Sequence, residues 1–323
     1  MLQENKGIWV FSELPSLTLE LLGIGRVLAD QLETELAAIS IGAGDHEYIE
    51  HGADKIFTIN DASLSLFQVD SYTDAITALV NEYRPEVLLI GATRNGLEFA
   101  PRLAERLKTG CVTEASGLEL DAEKKFVLMD RVTFGGNIVE TQISRAKPQI
   151  ATVAKGLFSP VARDSSRRGE VVKVEPKIKP PTTKILETRP KRAKGVRLAD
   201  AATIVAFGRG VRKKDDMAVI EQFAQAVSGV VGCSRPIAED LGWLPEEQYI
   251  GLSGQKVSPK LYFACGISGQ IQHLTGIRNS RIIVAINNDP KAPIFEFSDY
   301  AVVGDLYQVI PALTDAIKEL SRV

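Results

Sequence analysis

The segment Leu261–Ile277, LYFACGISGQIQHLTGI, joins an apolar strand to a Gly-Ile-Ser-Gly turn and then to a helix that carries one of the chain's three histidines, His273. Backbone N–H groups at a glycine turn and at a helix N-terminus favour an anion such as a phosphate. Ser268 in the turn has two interpretations, an N-cap for a helix that starts at Gly269 or a phosphate contact. His273 is either a ligand contact or an ordinary histidine on a helix face.

Further polar residues follow the other predicted strands of the C-terminal half. Arg209 and Arg235 offer positive charge to a pyrophosphate, Asn287 suits the edge of an adenine or a sugar, and Asp305 could accept ribose hydroxyls. Alone, each would be an ion-pair residue, a polar surface residue or a helix cap. Because ligands bind beyond the carboxyl ends of parallel strands, their shared position predicts a dinucleotide site, although G-x-G-x-x-G is absent.

Several catalytic and phosphate-binding motifs can be excluded because the sequence lacks residues that they require. The turn Gly266–Gly269 resembles a nucleophile elbow, but Gln270 stands where the elbow needs glycine. The segment 251–256, GLSGQK, lacks the G-K-[ST] of a P-loop. No zinc-binding H-E-x-x-H or paired-cysteine motif occurs. We therefore predict no metal site and no catalytic acid, base or nucleophile.

The elements that must position these residues alternate between strand and helix. Apolar strands and amphipathic helices take turns over 7–110, where the helix over 97–110 is closed by Gly110, and again over 203–320. This pattern predicts an α/β protein with two domains, each a mainly parallel sheet flanked by helices: a nucleotide-binding-like N-terminal domain and a doubly wound C-terminal domain. Between 112 and 156 the pattern changes to period two around FGGN, which predicts an antiparallel edge or flap.

The segment 163–197 is basic and punctuated by proline, and EVVKVEP within it reads as a short strand. We interpret it as a connector that partly contacts a partner subunit; a nucleic-acid interface is disfavoured because aromatic residues are not interleaved with the basic ones. The predicted domains are 1–195, with an interface role, and 196–323. The segment GATRNG at 91–96 is the nearest thing to a phosphate loop in the first domain, and we interpret it as structural.

Composition sets the limits on these interpretations. The chain has 323 residues, 45% hydrophobic residues, 24% charged residues and a formal net charge of −3, which gives no general attraction to nucleic acid or membrane. No apolar run is long enough to span a bilayer, and the first residues resemble neither a signal nor a transit peptide. Three scattered cysteines fit a reducing cytoplasm, with Cys265 serving as core packing.

Four segments of the C-terminal half closely resemble the C-terminal domain of the electron-transfer flavoprotein alpha subunit family: GRG, CSRP, GLSGQKVSPKLYFACGISGQIQHLTGI and IIVAINNDPKAPIFEFSDYAVVGDL. Their order and spacing match throughout 203–320. The N-terminal half is similar to the same family through GIWVFSE, LLGIGRVLADQL, LLIGATRNGLEFAPRLAERLKTG and GGN. The resemblance therefore covers nearly the whole chain.

The resemblance implies a heterodimer with a beta subunit, in which the C-terminal domain is doubly wound and binds FAD. Family members carry electrons from flavin-dependent dehydrogenases to a membrane quinone reductase or another acceptor, in some cases within electron-bifurcating systems. The chain would thus be a redox carrier subunit and would not convert a substrate by itself.

Residue roles follow from the same resemblance. Arg235 would lie near the isoalloxazine ring, Ser253 would place a hydroxyl near flavin N5, and His273 would donate toward flavin O2 and stabilise an anionic semiquinone. Asn287 and Asp305 correspond to contacts on the adenosine side. The full set of implied cofactor-binding residues is Arg209, Gly210, Ser234, Arg235, Ile250, Gly251, Leu252, Ser253, Gly266, Ser268, Gly269, Gln270, Ile271, Gln272, His273, Asn287, Asp305 and Leu306.

Two residues depart from the family pattern. Leu252 stands where many members have glutamine, and Asn288 replaces a common lysine, so a cofactor contact and a positive charge are lost. Two other functions stay open from the residues alone. One is an NAD(P)-binding oxidoreductase subunit, since related sheets bind nicotinamide nucleotides; the other is a binding module whose N-terminal domain serves only as an interface.

Overall fold

The computed structural model describes residues 5–42, 47–121, 123–189 and 197–320. The chain divides into two compact units, one formed by Met1–Thr133 and Val139–Thr188, the other by Phe134–Ile138 and Arg189–Val323. The predicted domain boundary at 195/196 and the histidine at position 46 lie outside the described residues.

The first unit is built on one large sheet. Its strands and helices are β1 (Ile8–Phe11), α1 (Pro15–Gln31), β2 (Leu36–Ile41), α2 (Glu47–Glu50), β3 (Lys55–Ile59), α3 (Val69–Tyr83), β4 (Val87–Gly91), α4 (Arg94–Leu107), β5 (Cys111–Asp121), β6 (Phe126–Thr133), β7 (Ile138–Gln142), β8 (Gln149–Val153) and β9 (Glu170–Val174). Within the described residues the sheet has nine strands in the order β7-β6-β5-β8-β4-β1-β2-β3-β9. The strands around β1 are parallel, and β5 pairs with β6 antiparallel. The prediction of a mainly parallel sheet with an antiparallel edge is confirmed.

Alternate residues of β1 explain why its sequence is continuously apolar. Ile8 and Val10 pack into the core cluster that contains the buried face of α1, and Trp9 and Phe11 into the cluster that contains α3 and α4. A parallel strand covered on both faces has no polar side, so no alternation appears in its sequence.

The strand β8 differs from expectation, because its period-two sequence suggested an antiparallel segment. It lies parallel to both β4 and β5 and is buried along its whole length. Its polar residues are paired inside the sheet: the Val127 N–H donates to Gln149 Oε1 at 2.9 Å, and the Glu114 N–H donates to Thr152 Oγ1 at 2.7 Å. The alternation reflects buried hydrogen bonding and not a solvent-facing side.

Other elements differ at their ends or were missed. The strand β3 was not predicted, and α4 ends at Leu107, three residues before Gly110, with Lys108 in the left-handed conformation at φ 57°. The predicted strand in EVVKVEP is confirmed as β9, which extends the sheet beside β3. Upstream of it, Arg163 and Arg167 pair with Glu50 and Asp54 at 2.6 Å, so this part of the basic segment packs on the first unit.

The second unit is a doubly wound sheet. Its elements are β10 (Thr203–Phe207), α5 (Met217–Ala226), β11 (Val230–Cys233), β12 (Leu261–Cys265), α6 (Ile271–Ile277), β13 (Ile283–Asn287), β14 (Tyr300–Val303) and α7 (Leu306–Leu320). All pairings are parallel, in the order β11-β10-β12-β13-β14. The predicted fold class is confirmed. None of the helices in the described ranges has both the length and the apolar sequence needed to cross a membrane.

Candidate functional site

A cavity of about 700 Å³ lies at the carboxyl edge of the second sheet. All five strands contribute to it through the residues that follow them, at 208–212, 234–236, 266–268, 287–289 and 304–306. The loop before β12 adds a further wall. This volume falls within the range of about 300–1,000 Å³ that is usual for small-molecule and cofactor sites.

Most of the predicted binding residues line this one cavity. The exceptions are Gly251, Gly269 and Ile271. The cavity also contains residues outside the predicted cofactor-binding set: Gly208, Arg212, Pro236, Tyr249, Ile267, Asn288, Asp289, Ala292, Pro293 and Gly304. Those next to a predicted residue could have been found by extending each strand end by one or two positions. Tyr249 could not, because it does not follow a strand end and resembles a core aromatic.

Glycines let the first and third loops approach each other. A Cβ on Gly210 would lie 2.6 Å from the Gly266 Cα, and a Cβ on Gly266 would lie 2.7 Å from the Gly210 Cα. Gly266 also has φ +62°, which other residues rarely adopt. The two turns therefore pack closely against each other, and the Gly210 N–H donates to the Gly266 carbonyl at 3.1 Å.

Of the two interpretations of Ser268, the N-cap role is wrong. The helix α6 begins at Ile271, and its N-cap position is Gln270, whose side chain makes no capping bond. Gly269 has φ +86° and is packed against Ile294, so the helix cannot start there. Ser268 is exposed and lines the cavity, which leaves its hydroxyl available to a ligand.

His273 is buried on the inner side of α6. Its Nε2 lies 2.9 Å from the hydroxyl of Tyr262, which is fully buried on β12. Burial lowers the pKa of His273 to about 4, against a smaller raising effect of the Ile250 carbonyl. By geometry, the Nδ1 atom of His273 is buried and makes no hydrogen bond within the described residues. The ring is thus neutral near pH 7 and has one unpaired nitrogen.

The loop before β12 supplies a second tyrosine hydroxyl to the site, that of Tyr249. The hydroxyl of Tyr249 lies 3.1 Å from the Ser253 hydroxyl, and both residues line the cavity. The Leu252 N–H donates to the Gln272 carbonyl at 2.7 Å, while the Leu252 side chain is 44% exposed at the cavity. The loop is therefore held to α6 through the backbone of Leu252.

Three arginines line the cavity, and two of them have acidic partners. Arg235 Nε lies 2.6 Å from Glu239, and an Arg212 guanidinium nitrogen lies 3.5 Å from Asp305. Arg209 makes no ion pair with any residue that the structure describes. Its charge is therefore the one most available to an anionic ligand.

Asn287 and Asp305 also organise the loops around them. Asn287 Nδ2 donates to the Ile267 carbonyl at 2.9 Å, and its Oδ1 accepts from the Asp289 N–H at 2.9 Å. Asp305 Oδ1 accepts from the Tyr307 N–H at 3.0 Å, at the start of α7. Both residues line the cavity, but their side chains already hold neighbouring turns in place.

In the first unit, the segment GATRNG has a structural role. Thr93 Oγ1 accepts from the Gly96 N–H at 2.9 Å and caps α4. A Cβ on Gly96 would lie 1.9 Å from the Gly91 carbonyl oxygen, so glycine is needed there for packing. Thr93 also donates to Glu13 at 2.5 Å, so its hydroxyl is already paired with a carboxylate.

The cysteines should be unreactive in the folded protein. Burial raises the pKa of Cys233 and of Cys265 to about 12 and that of Cys111 to about 11. Because only the thiolate attacks a disulfide reagent, a raised pKa keeps each thiol protonated and slow. We expect no reaction of these thiols with Ellman's reagent at pH 8 until the protein is unfolded, when all three react. Rapid labelling of native Cys265 would contradict its role in core packing.

The doubly wound sheet, with its cavity formed by glycine turns and arginines at the carboxyl edge, defines a nucleotide-binding class of domain. Comparison with known proteins is more specific. Residues 11–179 match the electron transfer flavoprotein domain, and residues 197–278 match the electron transfer flavoprotein FAD-binding domain.

Curated relatives match over almost their full length. The chain is 41% identical to an electron transfer flavoprotein subunit alpha of Thermoanaerobacterium thermosaccharolyticum, over 99% of this chain and 100% of that one. It is 38% identical to a protein FixB of Clostridium saccharobutylicum, over 98% of each. It is 35% identical to an electron transfer flavoprotein subunit alpha of Bacillus subtilis, over 96% of this chain and 95% of that one. The chain belongs to the electron transfer flavoprotein alpha subunit family, and FAD is its cofactor.

The residues present fit FAD. Among the described residues, the donor set at the cavity consists of glycine turns and an arginine without an ion pair, which suit a pyrophosphate, and a buried imidazole nitrogen without a hydrogen-bond partner, which suits a polar atom of a ring. A side chain at Gly266 or Gly210 would clash with the other loop and prevent the two loops from lying this close together.

Proposed function

We propose that this chain pairs with a beta subunit, binds FAD in the cavity of its second unit, and carries electrons from flavin-dependent dehydrogenases to a quinone reductase or another acceptor. The observation that supports this most directly is the convergence of five strand ends on one cavity within the FAD-binding domain match. Near-full-length similarity to curated alpha subunits supports the heterodimer.

FAD, when bound, supplies the reversible uptake and release of electrons. The chain's part is to bind and orient it. The turns at Gly210 and Gly266 and the charge of Arg209 would hold the phosphates. Asn287 and Asp305, fixed by their own turns, would shape the adenosine end.

The other end of the cavity would set the electrostatic environment of the ring system. Ser253, held by Tyr249, offers a hydroxyl, and His273 offers a ring nitrogen. Arg235 places a positive charge beside the cavity, shared with Glu239, and such a charge favours the ligand state with more negative charge. None of these side chains needs to transfer a proton to a substrate, which agrees with a carrier role.

The first unit would serve as an interface, since its strand-end segment GATRNG is used for helix capping and packing. The three free thiols support a reducing compartment, and we place the protein in the cytoplasm.

The test is flavin binding by the heterodimer after its cofactor is removed. We expect the complex to take up FAD and turn yellow, with quenched flavin fluorescence, and we expect excess NAD not to displace it. Reduction of the bound flavin by a flavin-dependent dehydrogenase should follow. A complex that stays colourless in FAD, or that binds NAD in its place, would overturn the proposal in favour of a nicotinamide nucleotide site.

A further inference from the structure

The phenol of Tyr262 is an isolated polar group in an apolar core. The residue is fully buried on β12 among aliphatic side chains such as Ile250 and Leu274. Burial raises the pKa of Tyr262 well above its ordinary value, so the hydroxyl keeps its proton. Its hydrogen-bond partner within the described residues is His273 Nε2, at 2.9 Å. A buried hydroxyl of this kind needs to donate its proton to an acceptor.

The two tautomers of a neutral His273 satisfy this pair to different degrees. If Nε2 carries the ring proton and donates to the phenol, the phenol proton and the Nδ1 lone pair are both left without partners. If Nε2 accepts from the phenol, the phenol proton and the Nε2 lone pair satisfy each other, and only an N–H at Nδ1 remains unpaired. The second arrangement leaves fewer buried polar groups unsatisfied and is therefore favoured.

We propose that Tyr262 is a positioning residue that holds His273 in the Nδ1–H tautomer, so that the ring presents a neutral hydrogen-bond donor to the bound cofactor. This inference rests on the proposed function, because it concerns how the cavity meets FAD. Tyr262 does not line the cavity, and it acts only through the imidazole.

The proposal accounts for a buried polar pair in this core. A histidine with free choice of tautomer could present either a lone pair or an N–H to a ligand. A lone pair would repel an electron-rich oxygen, whereas an N–H stabilises it. The phenol behind the ring removes this choice without adding a charge to the cavity.

The experiment measures the tautomer directly. In the FAD-loaded heterodimer, with histidine labelled by ¹⁵N, the signals of His273 are those that disappear in His273→Gln. We expect Nδ1 to show the shift of a protonated nitrogen and Nε2 that of an unprotonated acceptor near neutral pH. A protonated Nε2 with an unprotonated Nδ1 in the wild-type protein would overturn the proposal, whether or not any variant folds.

Tyr262→Phe tests the cause. Removing the hydroxyl should let the Nε2–H tautomer appear, and it should lower the preference of the site for reduced over oxidised FAD by about tenfold, as measured by the midpoint potential. Tyr249→Phe is the matched control, since it removes the other phenol of the site and should leave the His273 tautomer unchanged. An unchanged tautomer in Tyr262→Phe would overturn the proposal.

The tautomer and the flavin readouts can fail separately. A wild-type complex that does not bind FAD would refute the proposed function, while the histidine spectrum would still report on the contact with Tyr262. A complex that binds FAD normally but has its imidazole proton on Nε2 would refute only the inference about Tyr262.

Discussion

Replacing Gly269 by alanine should destabilise the second unit by at least about 3 kcal/mol and abolish tight FAD binding. The added Cβ would lie 2.2 Å from the backbone nitrogen and 2.5 Å from the Cα of Ile294. Ile294 is fully buried, and its N–H donates to the Ser268 carbonyl at 3.1 Å. Relief of the clash must therefore break that hydrogen bond. It must also displace the loop whose residues Ser268 and Gln270 line the cavity.

The measurement needs a signal that belongs to the second unit. The chain has two tryptophans, and Trp9→Phe leaves Trp243 as the reporter for urea unfolding of that unit. Gly242→Ala is the matched control: its φ is +59°, but a Cβ there has no heavy atom within 4 Å. The Gly242→Ala substitution should lower the free energy of unfolding only by the strain of a left-handed alanine, about 1 kcal/mol. Equal losses at 242 and 269 would show that the contact with Ile294 is unimportant.

The architecture of the second unit follows closely from its sequence, because each strand is a short apolar run bounded by glycine or polar residues. A parallel strand buried on both faces leaves this pattern wherever it occurs, and all five strands were predicted. Since parallel strands end at one edge, the cavity could be placed from chain order alone. The resemblance to a family then supplied roles that chain order could not.

The first unit shows where sequence patterns fail. The buried polar residues of β8, Gln149 and Thr152, imitate the alternation of an exposed strand, because their hydrogen-bond partners lie far along the chain. The prediction of helix ends fails for a related reason: α4 is ended by Lys108 in the left-handed conformation, whereas the sequence pointed to Gly110. Long-range pairing and strained backbone conformations depend on tertiary contacts, and a local pattern contains neither.

The site itself was predicted as a list of residues but not as a network. His273, Ser253 and Asn287 were identified, yet the groups that fix them could not be. Tyr262 and Tyr249 look like core aromatics in the sequence, and only the fold brings their hydroxyls to the polar side chains of the site. The N-cap interpretation of Ser268 was wrong because Gly269 adopts a conformation that ends the turn before the helix begins.

Reversing the charge of Arg209 should weaken FAD binding by about 100-fold. Of the arginines at the cavity, Arg212 and Arg235 are paired with Asp305 and Glu239, whereas Arg209 makes no ion pair within the described residues. A charge-assisted bond to a phosphate contributes about 1.5–3 kcal/mol, and a glutamate in its place adds repulsion. Arg209→Gln, which removes the charge without reversing it, should lose about tenfold.

The control for this prediction must change the net charge equally at a distant position. Arg281→Glu does so at the opposite edge of the sheet, just before β13, where the Arg281 N–H donates to the Pro259 carbonyl at 3.0 Å. FAD affinity is measured by fluorescence quenching of the heterodimer at two salt concentrations. The effect of Arg209→Glu should shrink at high salt, because screening weakens an exposed charge contact.

Riboflavin separates a phosphate contact from a general disturbance of the cavity. It lacks the pyrophosphate, so its weaker binding should be the same in Arg209→Glu and in the wild-type protein. If Arg281→Glu weakened FAD binding as much as Arg209→Glu, net charge and not a local contact would be responsible. If riboflavin binding fell together with FAD binding, Arg209 would support the loop that it lies on, and the phosphates would be held by the glycine turns at Gly210 and Gly266 alone.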